Sequence, residues 1–123
     1  MLLDTSAWIE FFIKSDKGAK VKDVLRRERC YTGIVTISEI SNWAMKQNVP
    51  HEELIAIVTQ ATHVLPLNLS IARLAGGLNY KRKKVVKNWG MIDSMILATA
   101  LTYSLNILTK DSHFGDLDNA EML

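Results

Sequence analysis

Short runs of apolar or β-forming residues alternate with longer stretches of helical periodicity, and this alternation most constrains the fold. Strands are predicted at residues 1–3, 30–35, 63–67 and 106–109, with a last short one at 120–123. Helices are predicted over residues 7–13, 17–29, 36–46, 50–62, 70–80 and 91–104. Pro50 fits a first helical turn, and Gly76-Gly77 interrupts the 70–80 helix as a close-packing point or a bend. Strands separated by helices pair in parallel through crossover connections, and such sheets carry helices on both faces. The expected class is therefore α/β, with a central parallel sheet of about four to five short strands. Sites in sheets of this kind lie outside the carboxyl ends of the strands, which tells where to look for chemistry.

Composition removes several alternatives. The 123 residues, 48% hydrophobic and 23% charged, suit one globular domain spanning 1–123 and exclude a disordered chain. Cys30 is the only cysteine, so an intrachain disulfide, a zinc ribbon and an iron–sulfur cluster are excluded, in keeping with a reducing compartment. The start has neither the basic region nor the apolar core of a signal peptide. The most apolar stretch, 95–108, is shorter than the ~20 residues of a membrane helix. A soluble cytoplasmic protein with no membrane partner is expected.

Four acidic residues fall where a predicted strand ends or a helix begins: Asp4, Glu39, Asp93 and Asp111. A parallel sheet would direct all four toward one edge. Converging carboxylates repel one another and are costly to bury together without a cation. Mg²⁺ or Mn²⁺, one or two ions bound by oxygen ligands, removes that conflict and activates water for phosphodiester hydrolysis. Each acid also has a structural reading. Asp4 can cap the first helix, and Thr36-Ile37-Ser38-Glu39 fits a capping box. Asp93 can complement a helix dipole or pair with Lys110, and Asp111 can stabilise a turn. Caps explain each acid singly; a metal site explains the set.

At these residues the chain resembles the PIN-domain nucleases, and among them the VapC-like toxins of toxin–antitoxin pairs. The resemblance covers essentially the whole chain. It rests on Leu2-Leu3-Asp4-Thr5-Ser6, Ser38-Glu39-Ile40, the segment Asp93-Ser94-Met95-Ile96-Leu97-Ala98-Thr99-Ala100, and Leu108-Thr109-Lys110-Asp111-Ser112-His113-Phe114. It implies a three-layer α/β/α fold and a metal-dependent endoribonuclease. It further implies Asp4, Glu39, Asp93 and Asp111 as Mg²⁺ or Mn²⁺ ligands, Ser6 and Thr109 as orienting hydroxyls, and Asp116 as a supporting acid. Its implied partners are an RNA substrate, a small antitoxin and a second copy of the chain in a homodimer. The alternative is a catalytically weak or inactive module of this fold that binds RNA or protein. A phosphoaspartate enzyme is disfavoured because position 6, two after Asp4, is Ser6 rather than a second acid.

The formal charge of +2 averages over separated regions. Lys81, Arg82, Lys83, Lys84 and Lys87 put five cations in seven residues, suited to RNA phosphates, whereas residues 111–123 hold four acids and no Lys or Arg. A second basic cluster, Lys14 to Arg29, is offset by Asp16, Asp23 and Glu28, and about half of it reads as a solvated face. Trp89 can stack on an unpaired base or pack into the core. Trp8 and Trp43 read as core or interface, Met91 and Met95 as core. His51, His63 and His113 are isolated and are given no chemistry.

Overall fold

The computed structural model describes residues 1–123. Five strands, β1 (Leu2–Leu3), β2 (Tyr31–Gly33), β3 (His63–Leu65), β4 (Ile107–Thr109) and β5 (Ala120–Met122), form one sheet in the order β3-β2-β1-β4-β5. Every pairing is parallel. Six helices surround it: α1 (Thr5–Phe12), α2 (Asp16–Arg27), α3 (Ile34–Lys46), α4 (His51–Ala61), α5 (Leu69–Arg82) and α6 (Met91–Thr102). None is long and apolar enough to cross a membrane.

The period-two geometry of a strand explains the three layers. Leu2 pairs with Ile107 and Leu3 with Leu108, so consecutive residues of the two central strands face opposite sides. Leu3 and Leu108 join a core built with Trp8 of α1, Val21 and Val24 of α2, Ile40 of α3 and Val58 of α4. Leu2 and Ile107 join the opposite core with Ile96, Leu97 and Ala100 of α6, Trp89 and Phe114. Both leucines of β1 are wholly buried, which is why this central strand needs only two residues.

The first two helices meet closely. Lys14 takes a left-handed conformation at the corner, and Ser15 caps α2 by accepting from the Gly18 N–H at 3.0 Å. A Cβ on Gly18 would stand 2.1 Å from the Glu10 carbonyl oxygen and 3.1 Å from the Phe11 Cα, both backbone atoms. Gly18→Ala is therefore expected to lower the free energy of unfolding by about 1–3 kcal/mol, the usual range for overpacking. Urea unfolding checks this; an unchanged midpoint would show that the two helices can part.

Several boundaries differ from expectation. The second strand stops at Gly33, and Ile34-Val35-Thr36-Ile37, β-branched and strand-like, begins α3 because Val35 and Ile37 pack into the two cores. Glu39 therefore lies in the second turn of α3, no capping box forms there, and the Thr36 hydroxyl is buried without a partner. Gly76 and Gly77 lie exposed within the one continuous helix α5, and nothing packs closely against either. The third strand ends at Leu65 rather than residue 67, and α5 continues to Arg82. Met91 and Ile92 open α6 with 43% and 37% of their surface exposed, so the core begins with the residues after them.

Candidate active site

Strand order reverses at β1, since β2 and β3 lie to one side of it and β4 and β5 to the other. Crevices at such switch points, beyond the carboxyl ends of the strands, are where open α/β sheets bind ligands. Asp4 follows β1 directly and Asp111 stands two residues past the end of β4. The two acids thus flank the switch point.

Asp4 is almost fully buried. Its Oδ1 accepts from the Ala7 N–H at 2.9 Å, capping α1, and from the Ser6 hydroxyl at 2.7 Å. Its Oδ2 accepts from the Thr109 hydroxyl. Both hydroxyls are themselves fixed by the loop after β4: Ser6 Oγ accepts from the Lys110 N–H and Thr109 Oγ1 from the Asp111 N–H, each at 2.9 Å. Ser6 and Thr109 thus orient Asp4 across the β1–β4 junction. Burial pushes the Asp4 carboxyl up to about 6, against the pull of these donors, and the nearby Asp111 charge adds to the rise.

Asp93 sits in the first turn of α6 and accepts from the Gly90 N–H at 3.0 Å, reaching back as a helix cap. Asp111 accepts from the His113 N–H at 2.9 Å and caps the single 3₁₀ turn Ser112–Phe114. The structural readings of Asp4, Asp93 and Asp111 are therefore real, and they aim these acids. Asp93, Asp111 and His113 each offer one ligand atom, and the three atoms lie within 4.8 Å of one another. His113 Nδ1 stands 3.7 Å from Asp93 Oδ2 and 3.4 Å from Asp111 Oδ1. Burial raises the Asp93 carboxyl above its ordinary range; the Gly90 N–H opposes this, the Asp111 charge adds to it and His113 opposes it.

Glu39 reaches the same end of β1 from α3, where the Thr5 hydroxyl donates to its Oε1. Asp116 does not share in the cluster: both its oxygens are taken by Arg82. Lys110 turns to the buried Glu10, whose carboxyl it and Ser15 hold below the usual range. No Lys or Arg pairs with Asp4, Glu39, Asp93 or Asp111.

That arrangement tests whether a divalent cation fits. The buried Asp4 and half-buried Asp93, with Asp111 beside them, have no Lys or Arg to neutralise them, and the buried His113 Nδ1 has no hydrogen-bond partner. Carboxylate oxygens with one imidazole nitrogen suit Mg²⁺ or, better, Mn²⁺.

The basic run divides. Lys81, Lys83, Lys84 and Lys87 are exposed, with the Lys84 ammonium 4.0 Å above the Tyr80 ring. Arg82 is not among them. It is buried against Trp89 and paired with Asp116, so the expectation that it contacts phosphate is corrected. Trp89 is a core residue, its indole N–H given to Ser94 Oγ at 2.7 Å, and it has no face free for a base. Trp8 is buried core and Trp43 stacks on Phe12. His113 is the site residue the sequence did not mark. Its one local signal is its place before Phe114, a buried residue that turns the segment back onto the sheet.

A parallel sheet with carboxylates gathered at its switch point defines an α/β protein with an acidic site able to hold a cation. The chain belongs to the PIN domain family, whose sequence profile matches residues 1–120. No curated protein sequence matches it. Solved structures share its fold. A toxin–antitoxin complex from Klebsiella pneumoniae is 20% identical, with a TM-score of 0.79, 98% of this chain and 95% of the other covered. VapC20 from Mycobacterium tuberculosis, a toxin that cleaves the sarcin–ricin loop, is 13% identical, with a TM-score of 0.78 and coverages of 95% and 94%. FitAcB from Neisseria gonorrhoeae is 24% identical, with a TM-score of 0.74 and coverages of 99% and 96%.

Proposed function

We propose that the chain is a cytoplasmic, divalent-metal-dependent endoribonuclease, the toxin of a toxin–antitoxin pair. The observation that carries this reading is the convergence of Asp93, Asp111 and His113 beside the buried Asp4, with no Lys or Arg paired to the acids. Asp4, Glu39, Asp93 and Asp111 hold one or two Mg²⁺ or Mn²⁺ ions. When bound, the metal supplies Lewis acidity that promotes attack of water on phosphorus and neutralises the departing oxygen.

The chain's own residues prepare the site. Ser6 and Thr109 lock the Asp4 carboxylate by direct hydrogen bonds and tie its orientation to the loop that carries Asp111. Lys81, Lys83, Lys84 and Lys87, on the segment just before α6, attract the RNA backbone without reading its sequence. Exposed Leu69, Leu74 and Tyr80 on α5 offer apolar surface for a second copy of the chain. The likeness to toxin–antitoxin complexes supports a small antitoxin as the inhibitory partner.

The test is a cleavage assay on defined RNAs with mapped products. Cleavage is expected with Mg²⁺ or Mn²⁺, lost with chelator and restored when metal is returned in excess. Cleavage undiminished in chelator, or absent with every divalent cation tried, would overturn the reading.

A further inference from the structure

Arg82 lies inside the basic run yet is buried. Its guanidinium forks onto Asp116, with Nη1 3.0 Å from Oδ2 and Nη2 2.9 Å from Oδ1. Nη2 also donates to the His113 carbonyl oxygen at 2.9 Å. Its planar face lies over Trp89, 4.2 Å from the ring centre. Trp89 in turn packs edge-on to Phe114 and donates to Ser94 in the first turn of α6. Ser94 Oγ donates on to Asn79 Oδ1, one turn before Arg82 on α5. One side chain therefore touches, directly or through Trp89, both segments that deliver the converging groups. These are the Ser112–Phe114 turn, bearing His113 with Asp111 as its cap, and the start of α6, bearing Asp93.

We infer that the Arg82–Asp116 pair is a positioning clamp that sets the spacing of Asp93, Asp111 and His113, and so the affinity of the edge for a divalent cation. The inference rests on the metal reading proposed above. Neither residue is a ligand or a phosphate contact. The geometry is one that Lys cannot reproduce: a single ammonium cannot grip both Asp116 oxygens and the His113 carbonyl in one plane while stacking on an indole. Asp116, whose side chain is 57% exposed, has both oxygens gripped by Arg82, which is the main cause that keeps its carboxyl below the ordinary range. Supports one step removed from a metal ligand typically alter affinity by 10–100-fold.

The test measures Mn²⁺ affinity by electron paramagnetic resonance of the free ion, together with thermal unfolding without metal. Arg82→Lys and Asp116→Asn are each expected to weaken Mn²⁺ binding about tenfold or more. The double variant is expected to bind no more weakly than the worse single one, because both act through one contact. Val58→Ala, in the opposite core among α1 to α4, serves as a destabilised control and is expected to retain wild-type affinity. If Arg82→Lys does not fold, Asp116→Asn decides, since it leaves the buried guanidinium its His113 carbonyl and its indole. Affinity within twofold of wild type in the folded variants overturns the inference. So does an equal loss in Val58→Ala, which would mean general loosening. Wild-type protein that binds Mn²⁺ but cleaves no RNA overturns the proposed function while leaving the clamp testable by the same measurement. Wild-type protein that binds no Mn²⁺ overturns both.

Discussion

Asp93→Asn is expected to abolish metal-dependent RNA cleavage while leaving the protein folded. The asparagine keeps a carbonyl oxygen where the carboxylate accepts from the Gly90 N–H, so the start of α6 stays capped. What it loses is the charge that stands with Asp111 against His113. Outer-shell partners of a metal ligand already cost 10–100-fold when removed, so loss of a direct ligand should cost more than about a hundredfold in kcat/KM. Stability without metal should not fall, because the substitution removes a repulsive, partly desolvated carboxylate. The measurement pairs the cleavage rate with a thermal unfolding curve. Undiminished cleavage by a preparation free of contaminating nucleases would remove Asp93 from the site, and a collapsed unfolding transition would make its role structural.

The framework of the molecule is written locally, whereas its active edge is only half written there. Apolar pairs such as Leu2-Leu3 and Ile107-Leu108 announce strands buried on both faces, and the helical stretches between them fix parallel pairing. That places Asp4 and Asp111 at strand ends from sequence pattern alone. Glu39 was harder, because Ile34-Val35-Thr36-Ile37 has strand-like side chains and tertiary packing makes it helix, moving the helix start two residues earlier. Arg82 departs from its sequence signal for a different reason. A cation among lysines looks solvated, and nothing near it shows that Asp116 returns to meet it 34 positions later. A signal did exist: Ile71, Ala75, Leu78 and Arg82 are spaced by four, three and four, so a helix carried two residues further puts Arg82 on the apolar face. His113 carries no comparable pattern. Its partner Asp93 lies 20 positions away on another element, and only the assembled sheet brings the two within reach.

The buried Asp4 carries the second large effect, on stability. Burial raises its carboxyl from an ordinary value of 3.8 to about 6, equivalent to about 3 kcal/mol if the native group ionises without a cation. The direction follows from linkage. Between these two values the native state binds the proton more tightly than the unfolded chain does, so this contribution is complete below pH 3.8. It is lost as pH rises through 6. Glu10 and Asp116 are held low and act in the opposite sense, losing their contribution only as pH falls through their own depressed values. The comparison with Asp4→Asn isolates the Asp4 component, because the variant has no proton to lose. In chelator, the stability of wild type relative to the variant should fall by about 2.4 kcal/mol between pH 4 and 7, read by urea unfolding at each pH. Mn²⁺ reverses the balance, since it binds the ionised carboxylate. At a hundredfold excess over its dissociation constant it should return about 2.7 kcal/mol to wild type at pH 7, and it should return little to the variant. A wild-type-to-variant difference that stays flat across this range would mean that water or a shifted side chain solvates Asp4. The carboxylate would then be held by its three hydrogen bonds alone, and the case for a cation beside it would have to rest on Asp93, Asp111 and His113.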